Sequence, residues 1–573
     1  MHFMKLLHVK YLLLLATVFT MAALYFLWPA MNVHRASFRS PSFPPPAAPA
    51  RGVDGWVYDQ YPNFVPVQRS INPRKGELPP QYRVSPVSPF GLNCEGAAQI
   101  GTSYVNAEVE PSVAVNPVNP DNLVGAWQQD RWSNGAARGL ASGVSFDGGK
   151  TWTQHLIPFS RCSGGTALNG GNYERATDPW VTFSPNGTAH AMALTLNRVT
   201  GTQNAMLASR STDGGLTWSN PATLILDIDG AAFFNDKNAI TADPTNSNFV
   251  YAVWDRLAAN GNGPTYFARS INGGLSWETA KIIYNPGGTG QTIGNVIAVL
   301  PDGTLINLLT KIITVAGNDI STLEVIRSTD KGISWSQPIL ISDLLAIGTS
   351  DPETGTKIRD GSILGQISVS PDGKLFVVWQ DARFSGGVLD AVAFSQSVDG
   401  GFTWSSPTRI NPANNVQAMI PTVHVRADGI IGVSYYDLRS NTPDPGSLLT
   451  DYWLATSGDG ITWSESRITY PFDYTSAPFA GGYFIGDYQS LVSSNNVFIP
   501  FFVKTNSGDF ANRTDVFAAP AIFKPVSKSF IASSFTRKRS ASLKQRVHEN
   551  IRRVKLQRAY KMRSNNLTRL PTQ

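Results

Sequence analysis

Ser145-Phe146-Asp147-Gly148-Gly149-Lys150-Thr151-Trp152 is the stretch on which the fold turns, because it recurs. STDGGLTW stands at Ser211–Trp218, SINGGLSW at Ser270–Trp277, STDKGISW at Ser328–Trp335 and SVDGGFTW at Ser397–Trp404. A degenerate sixth copy, TSGDGITW, ends at Trp463 with Gly458 at the usual Asp position. The closing tryptophans follow one another at intervals of 58 to 69 residues. A period near 60 with loops of variable length is a blade-type repeat. Within each copy Asp-Gly-Gly permits positive φ, and the carboxylate accepts hydrogen bonds from backbone amides of a hairpin turn. The Ser and Thr hydroxyls reach the same carboxylate, and the Trp packs beneath the hairpin with its indole N–H facing a carbonyl. A single carboxylate beside two glycines argues for a turn rather than a calcium loop.

These S-x-D-x-G-x-[TS]-W copies resemble the Asp boxes, or bacterial neuraminidase repeats, of the sialidase superfamily. The resemblance runs from about Glu110 to Ala521, about 70% of the chain. It implies an all-β fold, a β-propeller of four-stranded blades with the boxes at the turns between third and fourth strands. Innermost strands are expected to begin at EPSVAVNP (Glu110), DPWVTFSP (Asp178), DKNAITADP (Asp236), GNVIAVLPDG (Gly294), GQISVSPDG (Gly365) and PTVHVRADG (Pro421). A further one, GDYQSLVSS at Gly486, follows the last box. Seven blades are expected, with the segment before Glu110 closing the ring. Six, as in sialidases proper, is the alternative.

In such a propeller the boxes share a face with the turns between first and second strands. A site therefore belongs on the opposite face, at the starts of innermost strands and the ends of second strands. Those places hold Glu110, Asp178, Asp236, Lys237, Asp487 and Tyr488, then Asp130-Arg131, Asp255-Arg256, Asp381 with Arg383, and Asp437 with Arg439. Such Asp–Arg pairs also serve as plain bridges between blades. By the resemblance, Arg131, Arg383 and Arg439 are the candidate clamp for a sugar carboxylate, with Asp487 beside them in substrate binding. Tyr488 is the candidate nucleophile, Glu110 its activating base, and Asp178 or Asp130 the acid. The early [FY]-R-I-P motif of the family has no clean copy; Tyr82-Arg83-Val84-Ser85-Pro86 comes nearest. No cofactor or metal is expected, since G-x-S-x-G, H-E-x-x-H and P-loop motifs are lacking and His155, His190 and His424 each stand alone.

Charge divides the chain. Charged residues are only 15%, alongside 50 Gly, 38 Pro and 14 Trp, which suits many short strands and tight turns. The net +6 is the sum of unlike parts. From Lys524 to Gln573 there are 14 basic side chains against Glu549 alone, a net +13. The other 523 residues carry 33 basic and 40 acidic ones, a net −7. In the tail, Leu543, Val547, Ile551 and Val554 form a narrow apolar stripe suited to an amphipathic helix. That tail is expected either to contact an anionic surface or to stay solvated and dock its stripe on the acidic body. Nucleic acid ranks behind the membrane surface as a partner.

An apolar run from Tyr11 to Trp28 follows Lys5 and Lys10, longer than an ordinary signal core and near the ~20 residues that span a bilayer. An uncleaved signal anchor is expected, with a cleaved signal peptide as the alternative, and in both cases an exported body. Cys94 and Cys162 either form one bridge between the N-terminal segment and the first repeat or remain thiols. The expected organisation is a signal segment over 1–35, a Pro-rich linker and closing segment over 36–104, the propeller over 105–523, and a basic, partly helical or disordered tail over 524–573. Two functions stand. One is an exported or membrane-anchored exo-glycosidase of sialidase type, acting on sialylated or other acidic glycans. The other is a non-catalytic propeller that binds glycan or protein at its channel mouth.

Overall fold

The structure is a computed structural model that describes residues 78–520, 529–534 and 541–564. The apolar run at 11–28 and the Pro-rich linker before residue 78 lie outside the described residues. Among the described residues no helix is long and apolar enough to cross a membrane.

The fold is an all-β propeller of four-stranded blades. The first meander shows the pattern: Val109–Asn116, Asn119–Trp132, Ala137–Ser145 and Thr153–Leu156 pair antiparallel in sequence order. Innermost strands lie at Val109–Asn116, Arg175–Phe183, Phe233–Ala242, Gln291–Val299, Gln366–Val369, Ala418–Val425 and Ser490–Ser494. Each packs against the next, and the last packs against the first. Central strands such as Val250–Ala258 are buried on both faces, so they read as apolar runs rather than alternations. Trp127, Trp254 and Trp379 stand on second strands, fully buried between sheets.

Only five blades stand as separate sheets, not the expected seven or six. Five sheets each contain one blade, while the first two meanders are fused into one nine-stranded sheet. The fusion is a single backbone pair, Ala137 with Ala176, both fully buried. Two methyl side chains let neighbouring blades approach closely enough for the ladder to run on across the boundary.

The last meander, Ser490–Ser494, Val497–Thr505 and Thr514–Ala518, lacks its own fourth strand. Tyr82–Arg83 supplies it, pairing Tyr82 with Ala518 and Arg83 with Phe517. Chain closure thus joins the two ends of the propeller, and Arg83 locks it through Asp515 at 2.6 Å.

The Ser–Asp turns are hydrogen-bonded knots. Ser145 Oγ donates to Asp147 at 2.8 Å, and Thr151 donates to the same carboxylate from its amide at 2.9 Å and its hydroxyl at 2.6 Å. Trp152 Nε1 closes the turn on the Gly149 carbonyl at 3.0 Å. The equivalent Ser334 and Thr403 hydroxyls and amides hold Asp330 and Asp399 down at about 2. In the sixth copy the acceptor is Asp459, not position 458, because this turn is one residue shorter. Ser457 Oγ donates to Asp459 at 3.0 Å and Thr462 N at 2.7 Å.

Cys94 and Cys162 are joined in a disulfide that ties the N-terminal segment to the first blade across 68 residues. The double substitution Cys94→Ser, Cys162→Ser is expected to cost about 2–4 kcal/mol of unfolding free energy. A urea titration of oxidised wild type against the double variant reads this directly.

The basic tail contains a helix, Ala541–Ser564. Leu543, Val547 and Ile551 are buried against Ile347, Ile363, Leu364 and Phe384 of the propeller, so the stripe docks on the body. The basic side chains follow it into ion pairs. Lys555 meets Asp319 at 2.8 Å, Lys561 meets Asp236 at 3.0 Å, and Arg558 meets Asp255 with both side chains buried.

Candidate functional site

Proline after an ionisable residue, as in Glu110-Pro111 and Asp178-Pro179, interrupts a strand at its start. The ladder skips there: register shifts fall between Val109 and Ser112, Thr177 and Trp180, Asp236 and Ala239, Ile293 and Val296, and Met419 and Thr422. Each shift is a β-bulge, which re-aims one side chain. The bulged residues are Glu110, Asp178, Lys237, Gly294 and Ile420, all left-handed with φ of 54°, 53°, 49°, 66° and 52°. Four of them are not glycine, and backbone strain of this kind gathers at functional sites. Three successive blades thus deliver Glu110, Asp178 and Lys237 to one place at the channel mouth.

Lys237 Nζ is the hub. It donates to Asp487 at 2.7 Å, to Glu110 at 3.3 Å and to Asp178 at 3.4 Å. Arg359 adds a fork on Asp487, with Nε at 3.0 Å. Arg131 Nη1 donates to Gln128 at 2.6 Å, and Gln128 in turn donates to Glu110. The Arg131 and Arg359 guanidinium groups both lie over the Phe484 ring, 4.8 and 4.2 Å from its centroid. Gly486 lets the chain pass this close, since a Cβ there would stand 2.9 Å from the Glu110 amide nitrogen.

Electrostatics separates the three acids. Burial pushes Glu110 up to about 8, and the Asp178 and Asp487 charges add to it against the pull of Lys237. Although burial opposes it, Lys237 and then Lys561 hold Asp178 below the usual carboxylate range. Arg359 and Lys237 likewise hold buried Asp487 well below it. Burial and the neighbouring Arg359 charge bring Arg131 down to about 10. The mouth therefore carries one protonated carboxyl beside two carboxylates at neutral pH. Asp178 Oδ2 and Arg131 Nε are buried without a protein partner, which leaves one acceptor and one donor to satisfy.

The other sequence candidates fall elsewhere. Asp130 accepts from Ser88 Oγ at 2.7 Å, the Asn106 amide at 2.9 Å and Arg138 at 3.2 Å. It is next to Arg131 in sequence but strand neighbours point to opposite faces, so it does not join the cluster. Arg383 is held by Asp381 at 2.8 Å and Ser342 at 2.9 Å. Arg439 is held by Asp437 at 2.6 Å through Nε and by Glu465 at 2.6 Å through Nη1. An Asp and an Arg two residues apart share a side, so each pair closes on itself. The expected three-arginine clamp is therefore not assembled; Arg131 alone reaches the cluster. Tyr488 lies under it, with its ring 5.5 Å from Lys237 Nζ and its hydroxyl donating to the Pro179 carbonyl at 3.3 Å rather than to Glu110. Burial and the surrounding acids raise Tyr488 well above 10, which opposes a phenolate.

The sequence places Lys237 among the strand starts without giving it a role, and it carries no mark at Arg359. Arg359 sits in the long connection between Asp343 and Gln366, placed by its amide on the Tyr483 carbonyl at 2.9 Å. No periodicity marks that position. His190 is buried and His424 half-buried, and they bond to Ser184 and Ser493 at 2.8 Å each. Burial lowers them to about 3 and about 4, which suits packing groups.

A cavity of about 640 Å³ opens on the cluster. Asp236, Lys237, Arg359 and Asp487 line its propeller side, and the C-terminal helix lines the other. That volume suits a mono- or disaccharide-sized ligand.

No family model matches the chain. Solved structures with a similar fold include a Hadza microbial sialidase, at 15% identity and a TM-score of 0.40 over 70% of this chain and 75% of that one. An alpha-L-arabinanase of Penicillium chrysogenum complexed with arabinobiose is similar at 13% identity and a TM-score of 0.41, over 77% and 97%. An alpha-L-arabinofuranosidase of Fusarium graminearum is similar at 14% and 0.39, over 58% and 89%. At these identities and scores the likeness assigns no activity to this chain.

Proposed function

We propose that the protein is an exported, glycan-active propeller that holds a sugar in the mouth cavity and hydrolyses its glycosidic bond. The observation that carries this reading is the convergence of Glu110, Asp178 and Lys237 from the same bulge position of three successive blades. Glu110 is the proton donor, kept protonated by burial, and Asp487 is the carboxylate at the cavity wall, kept ionised by Arg359 and Lys237. Both acids touch one ammonium, at 3.3 and 2.7 Å, which puts them closer together than the roughly 6.5–9.5 Å of an inverting pair. Retention of anomeric configuration follows. Seven blades form the ring in this reading, the fused sheet acting as two, and the cyclic packing of the innermost strands supports it. The disulfide supports an oxidising, exported setting, with 11–28 as the membrane anchor or signal.

The test is turnover of a panel of fluorogenic glycosides, sialosides and arabinosides included, by the full chain. Glu110→Gln is expected to lose turnover, while Tyr488→Phe stays within about threefold of wild type, because only the bond to the Pro179 carbonyl is lost. Loss on Tyr488→Phe with Glu110→Gln active would restore the tyrosine as nucleophile and sink this assignment. A non-catalytic glycan-binding propeller is the second reading, favoured by the self-paired Arg383 and Arg439. Binding without turnover across the panel would select it.

A further inference from the structure

The C-terminal helix carries two stripes about 100° apart. Leu543, Val547, Ile551, Arg558 and Met562 are buried and dock on the propeller. One step around, Arg552, Leu556 and Tyr560 recur at i, i+4 and i+8, so they stack on a single face. That face lines the cavity. Leu556 and Tyr560 are 61% and 58% exposed, an apolar pair left open where the opposite wall is polar. Arg553 lines the cavity as well and donates to the Asn550 amide oxygen at 2.6 Å. Among the described residues neither Arg552 nor Arg553 has an acidic partner.

The docking stripe decides the charge of the cavity. Arg558 and Lys561 neutralise Asp255 and Asp236. Lys237 and Arg359 neutralise Asp487 from the floor. Arg552 and Arg553 stand on the wall one turn beyond Glu549, which accepts from Gln545 and forms no ion pair with them among the described residues. An aromatic ring follows two turns along from Arg552. An arginine fork matches a planar oxyanion, and an aromatic face takes a sugar ring. A wall fastened by a buried ion pair and an apolar stripe is a permanent part of the site.

We infer that the C-terminal helix is the outer wall of the ligand site, where Arg552 and Arg553 recognise an anionic substituent of the sugar and Tyr560 stacks on its ring. The inference rests on the glycan-active reading above and moves recognition of the acidic group, a carboxylate or sulfate, from the expected clamp of Arg131, Arg383 and Arg439 to the C-terminal helix. It also gives the basic tail a role at the pocket rather than at a membrane.

The experiment measures binding calorimetrically to the full chain, with glucuronate-terminated disaccharide, 6-sulfated N-acetyllactosamine and neutral lactose as probes. Wild type is expected to prefer an anionic probe over lactose by about tenfold or more. The double variant Arg552→Gln, Arg553→Gln is expected to bring all probes within about threefold of one another, and Tyr560→Ala to weaken all of them by about tenfold. The two anionic probes distinguish carboxylate from sulfate as the group read. All three substitutions are at solvent-accessible helix positions, and unchanged melting temperatures show that the helix stays docked. Equal preference in wild type and the double variant overturns the inference while leaving glycan binding intact. Tighter binding by the variants makes the helix an obstruction and also overturns it. If no sugar binds to wild type at all, the glycan-active reading falls and the inference falls with it.

Discussion

Lys237→Met is expected to lower the unfolding free energy by about 3–5 kcal/mol, the cost of removing one partner from a buried ionic group. Met keeps the length and the packing against Tyr488 but leaves Glu110, Asp178 and Asp487 in one dry site without their shared ammonium. Arg359 still serves Asp487, whereas Asp178 loses its nearest cation. The effect has a pH signature. Asp178 and Asp487 have folded pKa values below their unfolded ones, so their contribution is present above the unfolded value of about 3.9 and is lost as pH falls through the folded values. The gap between wild type and Lys237→Met should therefore be widest near neutral pH and narrow below about pH 4. Urea titrations at pH 7 and pH 3.5 measure both. A difference under 1 kcal/mol at pH 7 would mean that the three acids are not held by Lys237.

Glu110→Gln is expected to reduce turnover by about 10²–10⁴-fold, the usual share of a general acid. Its stability effect runs in the opposite direction to that of Lys237→Met. Glu110 has a folded pKa of about 8 against an unfolded value near 4.3, so the stability tied to its proton is full below pH 4.3 and is lost as pH rises through 8. Gln carries no such proton and fills the same space. The variant should match wild type near pH 4 and melt at higher temperature than wild type at pH 9. The same titration predicts that wild-type activity declines as pH passes about 8. Melting curves across this range and a pH–rate profile test the two halves separately. Equal melting temperatures at pH 9 would place Glu110 among ordinary carboxylates and remove it as the acid.

How much was legible depends on whether an interaction is local. The Ser–Asp turns were readable because every partner lies within a few residues, from Ser145 to Trp152. The sixth copy misled by one position for the same reason in reverse. A shortened turn keeps its chemistry at Asp459 while its letters align one residue off. Strand starts at Glu110, Asp178 and Lys237 were also marked, since Pro or a charged residue there interrupts an apolar run. The arginine clamp was the failure. A sequence shows that Arg383 stands near Asp381, but not that the two close on each other instead of reaching across the channel.

Sequence alone determined the repeat, the turn chemistry, the all-β class and the separation of an acidic body from a basic tail, because each is written in short-range pattern or in composition. Tertiary structure alone decided which charges meet. Glu110, Lys237, Arg359 and Asp487 are spread over almost 380 residues and meet only because the ring returns its last blade to its first. The tail's helix reaches the mouth through its own docking stripe, and there Arg558 and Asp255 pair across 303 residues. Burial then does what no sequence spacing encodes: it removes water from the cluster, raises Glu110 and leaves neighbouring carboxylates charged.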